Sequence, residues 1–183
     1  MAAGKVRIYW DTAPLVTWIT DEKRPNPAEM AGVAAVVTMV DRGRAVLMTS
    51  VLWRSEVLDL NLTAAQRRRL EAAFDGQSIA ELAIDSRVMD LAGEIRSYHK
   101  RSTKKDLIKK ISVPDAIHLA SAIHYEADEF HTFDGARQGK NSGGLLTLNG
   151  NVAGRRLKIC APSADQYLLD FNEDESGDGA NRE

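Results

Sequence analysis

The spacing of apolar residues changes period repeatedly along the chain, and each change marks an element. Val6 to Trp10 is β-prone, with Val6 and Ile8 on one face; it stops at Asp11 and Thr12, and Pro14 to Ile19 then predicts a helix. After the charged, proline-bearing loop TDEKRPNP, Met30, Val33, Val37 and Val40 recur at helical spacing, which predicts a helix over Ala28 to Asp41. Arg42-Gly43 ends it, and Ala45 to Thr49 is a continuous apolar run of the kind a buried strand shows. A helix is expected from Val51, and another from Thr63 to Phe74 with Thr63 as its N-cap. Ile79 to Ile84 reads as a strand. Asp85 reads as the cap of a helix over Ser86 to Lys100, whose stripe is Val88, Leu91, Ala92 and Ile95.

The next stretch, Val113 to Asp134, combines a helix, a turn and a strand. Pro114 suits a first helical turn, and Asp115 beside it lies where the helix dipole favours a charged carboxylate. Ala116, Leu119, Ala120, Ile123 and Ala127 predict one apolar helical face, and Phe130 to Phe133 a short buried strand leading to Asp134. Asn149-Gly150 signals a hairpin, Leu157 to Cys160 is β-prone, and Ser163 to Phe171 fits either a short helix or an extended arm. The whole is a succession of βα units.

Length and composition narrow the class. A chain of 183 residues suits one sizeable domain, and 44% hydrophobic with 27% charged content is ordinary for a globular protein. The single cysteine, Cys160, can build neither an internal disulfide nor a zinc framework, which points to a reducing compartment, by default the cytoplasm. No signal peptide is expected at MAAGKVRIYW, and no apolar run reaches the roughly 20 residues a membrane span needs. The net charge is −2, but the last twelve residues carry five acids and one base, so the body without them is +2. That end, residues 172–183, has no large apolar side chain and reads as a disordered acidic tail. The domain is expected over residues 1–165, with an inserted segment at about 135–156.

Four acids stand where a site could form. Asp11 follows a strand, Glu56 lies early in a helix, Asp115 begins a helix, and Asp134 follows a strand. Asp11 alone fits a helix cap as well as a ligand, and Glu56 alone fits a solvent-facing residue. As a set they are hard oxygen donors suited to Mg²⁺ or Mn²⁺ rather than zinc. Such ions can activate water for in-line attack on a phosphodiester. The run HKRSTKKDLIKK just before Asp115 holds six bases against one acid, and cations beside the carboxylates would be needed to hold a nucleic-acid backbone. Lys100, Arg101, Lys104 and Lys105 from that run, with Arg137 and Lys140 beyond Asp134, are the candidate RNA-binding residues. His118, three residues after Asp115, reads as a polar residue at the helix margin rather than a proton shuttle. His99, His124 and His131 have no partner at metal-ligand spacing, and Trp10, Trp18 and Trp53 read as core rather than as base-stacking platforms.

YWDTAPLV, SVLWRSEVLDL, VPDAIHLASAI and DEFHTFDGA resemble, in order and approximate spacing, the four acidic motifs of PIN-domain ribonucleases, most closely the VapC-type toxins of prokaryotic toxin–antitoxin pairs. The likeness covers roughly residues 5 to 162 and rests on the ordered set rather than on any one motif. It implies an α/β, PIN-like three-layer fold in which a twisted, mostly parallel sheet is flanked by helices, with the acids gathered at its carboxyl edge. It implies Mg²⁺- or Mn²⁺-dependent endonucleolytic cleavage of RNA, a cognate antitoxin partner and often a homodimer. Asp11, Glu56 and Asp115 match the acids that would ligate the principal metal, and Asp134 the acid that would hold a second ion or its water. Thr12 matches a position usually Ser or Thr that would steady a carboxylate or a water, and Thr132 could act similarly. The chain departs from compact toxins of this type in its inserted segment and acidic tail. Competing readings are a PIN-like module that binds RNA or protein without cutting, and a phosphotransfer protein with Asp11 or Asp134 as acceptor. The second is disfavoured because Ala13 stands where a dehalogenase-like hydrolase needs an Asp, and Asp11 lacks the acidic neighbour of a receiver domain.

Overall fold

The computed structural model describes residues 4–57, 60–76, 78–102, 111–135, 144–165 and 167. Five strands, β1 (Val6–Trp10), β2 (Ala45–Ser50), β3 (Ile79–Leu82), β4 (Glu129–His131) and β5 (Lys158–Cys160), form one sheet in the order β3-β2-β1-β4-β5. Every pairing is parallel. Helices α1 (Thr12–Thr20), α2 (Pro27–Asp41), α3 (Trp53–Val57), α4 (Ala64–Asp75), α5 (Ser86–Ser102) and α6 (Val113–His124) make the connections. This is an α/β fold, and it agrees with the PIN-like architecture.

The pleat of β1 divides the core. Tyr9 on one face joins Met48, Phe130 and Ile159 beneath α5 and α6. Ile8 and Trp10 on the other join Leu47, Leu15, Val33 and Val36 beneath α1 and α2. Both faces of a parallel sheet are thereby covered, which is why its strands are short apolar runs. The sheet switches direction at β1, which has β2 on one side and β4 on the other. Side chains leaving the carboxyl ends of β1 and β4 flank that switch point, where open α/β sheets form their ligand crevices.

Three local expectations need correction. The most deeply buried residues of α2 are Gly32, Val33, Val36 and Met39; of the expected stripe Met30, Val33, Val37 and Val40, Val33 is among them, Val37 and Val40 pack only partly buried against the same core, and the chain near its end crosses the helix at Gly32. A Cβ on Gly32 would sit 2.1 Å from the Pro162 carbonyl oxygen, so only glycine admits the crossing. Helix α6 stops at His124, short of Ala127, and Ala116 through Ala122 are all buried, so it has no solvent face to alternate with. It lies between the sheet and α5. The hairpin expected at Asn149-Gly150 is absent: Leu145–Leu148 is a 3-10 helix, and an isolated antiparallel bridge joins Val152 to Arg155. Strand β5 takes its hydrogen bonds from β4 in parallel, so the chain before it must cross over rather than pair back.

Among the described residues, no helix is long and apolar enough to cross a membrane. The tail at 172–183 and residues 136–143 of the inserted segment lie outside the described residues. Leu145, Leu148 and Val152, from the described part of that segment, are buried in the core under α5 and α6.

Candidate active site

Asp11 is the residue at which β1 becomes α1. It caps that helix, its Oδ1 accepting the Ala13 N–H at 3.0 Å, so the capping and site readings are two uses of one carboxylate. It is only 8% exposed. Burial pushes its carboxyl up to about 6, with the facing Asp115 adding to the rise, against hydrogen bonds from Thr132 and Ala13 and the influence of His118. A buried carboxylate beside a second one is the charge pattern that a cation relieves.

The other acids arrive from separate elements. Ser112 caps α6 reciprocally with Asp115: the Asp115 N–H donates to Ser112 Oγ at 3.1 Å, and Asp115 Oδ2 accepts the Ser112 N–H at 3.3 Å. Capping thus fixes the Asp115 carboxylate at the start of a buried helix. Glu56 lies in the five-residue α3, just past the end of β2. Its Oε2 accepts hydrogen bonds from Thr12 Oγ1 and, at 3.0 Å, from His118 Nε2. Partial burial pushes the Glu56 carboxyl upward, but the bonds from His118 and Thr12 outweigh it and hold the group below its ordinary value. Asp134 follows β4; its N–H donates to Thr132 Oγ1 at 3.0 Å and its Oδ2 accepts the Leu145 N–H at 3.2 Å. Buried Thr132, which accepts from Asp134, also lies close enough to Asp11 to favour its ionised form, so it stands between the first acid and the fourth.

Each carboxylate therefore has an oxygen fixed by a local donor. Among the described residues no Lys or Arg pairs with Asp11, Glu56 or Asp115, although the surface carries many such pairs. Carboxylates without a Lys or Arg partner are hard oxygen donors of the kind that suits a divalent ion such as Mg²⁺ or Mn²⁺. Residues 8–138 match the PIN domain family. The chain belongs to the PIN domain family. PIN domains are in general metal-dependent nucleases. Among curated proteins none matches this chain.

Thr12 thus bonds Glu56 directly, Asp115 lies near enough to Asp11 to raise its carboxyl, and Asp134 bonds Thr132. Lys100 is exposed near the end of α5. The Arg101 side chain and Lys104, Lys105, Arg137 and Lys140 lie outside the described residues. Trp10 and Trp53 are core, at 1% and 7% exposure, and Trp18 packs partly buried against the same core. Arg54, next to Trp53, is exposed and pairs with Glu81 at 2.8 Å.

His118 is the residue that sequence reasoning placed wrongly. It is 3% exposed rather than marginal and touches Glu56 directly. Its spacing of three from Asp115 was the available signal, since such residues share a helical face.

A second polar cluster lies on the opposite face of β4, away from His118. Glu129, His131 and Cys160 bring ligand-type atoms within 4.8 Å of one another, under Tyr167. The Trp10 indole can only donate, so its 3.2 Å contact assigns His131 Nδ1 as an acceptor and leaves the hydrogen on Nε2, 2.9 Å from Glu129 Oε2. That hydrogen occupies the direction a metal would need. Burial also pushes the Cys160 thiol up to about 11, with Glu129 adding to the rise, so no thiolate is on offer at neutral pH. This cluster fits a hydrogen-bonded anchor for the end of the chain rather than a metal centre.

Proposed function

We propose that this PIN domain is a Mg²⁺- or Mn²⁺-dependent endoribonuclease, the toxin of a type II toxin–antitoxin pair. What supports the nuclease reading is the PIN family match together with three hydrogen-bonded carboxylates, Asp11 at the cap of α1, Glu56 in α3 and Asp115 in α6, none paired with a Lys or Arg among the described residues. A divalent ion held there supplies Lewis acidity, for activating water and for the charge developing on a phosphodiester. Asp11, Glu56 and Asp115 would hold it, and Asp134 would hold a second ion or orient the attacking water. Thr12 keeps Glu56 turned inward through its hydroxyl, and Thr132 stands between Asp11 and Asp134. The bases that follow α5 enter the chain just ahead of the cap that carries Asp115, where they would hold the RNA backbone against repulsion by the acids. The toxin assignment, a cognate antitoxin and a homodimer rest on the motif resemblance.

The test is cleavage of RNA by the purified full-length protein. Cutting should require Mg²⁺ or Mn²⁺, stop in chelator and vanish in Asp115→Asn, as should any growth arrest on expression. Undiminished cutting by that variant would overturn the mechanism. For the toxin reading, co-expression of a small protein encoded next to this one should relieve the arrest; a lone gene with no such neighbour would count against it.

A further inference from the structure

A histidine on a helix buried all round must find partners for both ring nitrogens, and His118 finds them on two different elements. Nε2 lies 3.0 Å from Glu56 Oε2 and Nδ1 lies 2.7 Å from the Tyr9 hydroxyl. An ionised carboxylate only accepts, so Nε2 carries a hydrogen, and in the neutral ring Nδ1 must then accept. Tyr9 is placed to donate. Its oxygen accepts the Ser50 N–H at 3.1 Å, which leaves its own hydrogen for Nδ1, and burial pushes its ionisation far upward. Its ring is held by parallel stacking on Phe130, with centroids 5.4 Å apart. The chain Ser50, Tyr9, His118, Glu56 thus runs from the end of β2 through β1 and α6 to α3, each donor pointing towards the site.

We propose that Tyr9 and His118 are positioning residues: Tyr9 fixes His118 as its Nε2–H tautomer, and His118 with Thr12 grips Glu56 by Oε2 so that Oε1 faces the divalent ion. This rests on the reading of Asp11, Glu56 and Asp115 as metal ligands. Thr12 and His118 both donate to the same oxygen of Glu56, and among the described residues Oε1 receives no hydrogen bond. A carboxylate held this way ligates through one atom in a fixed direction. The same hydrogen keeps the imidazole from becoming a ligand itself, so the donor set stays all oxygen and suits Mg²⁺ or Mn²⁺ over zinc.

The experiment is a Mn²⁺ titration of the full-length protein, with free Mn²⁺ read by electron paramagnetic resonance, beside long-range ¹H–¹⁵N spectra of its histidines. His118→Leu, similar in volume, should weaken Mn²⁺ binding about 10–100-fold without loss of fold. His118→Gln, whose amide can still donate to Oε2, should stay within about threefold of wild type, as expected if the donated hydrogen is what matters. In the metal-free wild type, His118 should show a bare Nδ1 and a protonated Nε2, and Tyr9→Phe should yield a mixture of tautomers. A protonated Nδ1 in the wild type overturns the proposal, as does wild-type Mn²⁺ affinity in His118→Leu while Asp115→Asn loses binding. Mn²⁺ binding indifferent to both Asp115→Asn and Glu56→Gln removes the metal site on which both readings stand. Expected binding and tautomers without RNA cleavage would sink the nuclease reading alone.

Discussion

Replacing Glu129 with glutamine removes the charge at the centre of the anchor that fastens the chain's end to the sheet. Glu129 is 7% exposed, and its carboxylate accepts from Tyr167 Oη at 2.7 Å, Lys158 Nζ at 2.8 Å and His131 Nε2 at 2.9 Å. Burial alone would push its carboxyl up, but the bonds from His131, Lys158 and Tyr167 outweigh that and lower it to about 2. Against an ordinary glutamate near 4.5, the difference corresponds to about 3 kcal/mol of native stability. The sign follows from the lowered value: between these pH values the unfolded chain binds the proton first. The stability is therefore complete above about 4.5 and is lost as pH falls towards about 2. For a chain of this size, 3 kcal/mol is about 6–12 °C in Tm. The assay is urea unfolding of wild type and Glu129→Gln at a series of pH values from 7 to about 2.5. Their difference in unfolding free energy should be near 3 kcal/mol at neutral pH and shrink steadily below pH 4.5. A difference that stays constant through that window would refute the charge-based account of the anchor.

Asp11→Asn should stabilise the chelated protein at pH 8 while abolishing stabilisation by Mn²⁺, as followed by thermal melting. With its carboxyl pushed up to about 6 from an ordinary 3.8, the ionised wild-type group costs up to about 3 kcal/mol, a cost that appears as pH rises between those values. A lower Tm for the variant in chelator would argue against an electrostatically strained cradle. Gly32→Ala places a methyl 2.1 Å from the Pro162 oxygen and 2.6 Å from the Ser163 nitrogen, both backbone atoms that cannot swing aside. The overpacking cost of about 1–3 kcal/mol should exceed the gain of up to about 1 kcal/mol in helix propensity. Limited proteolysis should therefore cut first near the chain's end, and wild-type resistance in the variant would show that the crossing is looser than described.

Local signals were strongest where one residue type fits one backbone role. Thr63 caps α4 through a reciprocal box with Gln66, and Asp85 accepts the Val88 N–H at 3.0 Å at the start of α5, both as the sequence predicts. The alternation of βα units led to the parallel sheet, because such strands need crossovers and the helical stretches supply them. Periodicity fell short for α6, whose burial depends on elements far away in sequence, α5 and the sheet that enclose it, and it gave no sign that Pro162 would cross α2 at Gly32. The hairpin signal at Asn149-Gly150 gave way to β5 pairing in parallel with β4.

The site divides along the same line. Sequence alone determined which side chains can carry the chemistry, since Asp11, Glu56, Asp115 and Asp134 owe their donor type to composition and their placement at element ends to local capping and strand exit. Only tertiary structure decided how they are held. Thr12 and His118 meet on one oxygen of Glu56, Tyr9 reaches His118 across a helix–sheet interface, and Thr132 stands between Asp11 and Asp134. Tyr9 and His118 lie 109 residues apart in the chain, so no local pattern encodes their meeting. His118 shows the physical reason: on an amphipathic helix it would be a marginal polar residue, and burial of α6 leaves it bonded to Glu56, the proposed metal ligand.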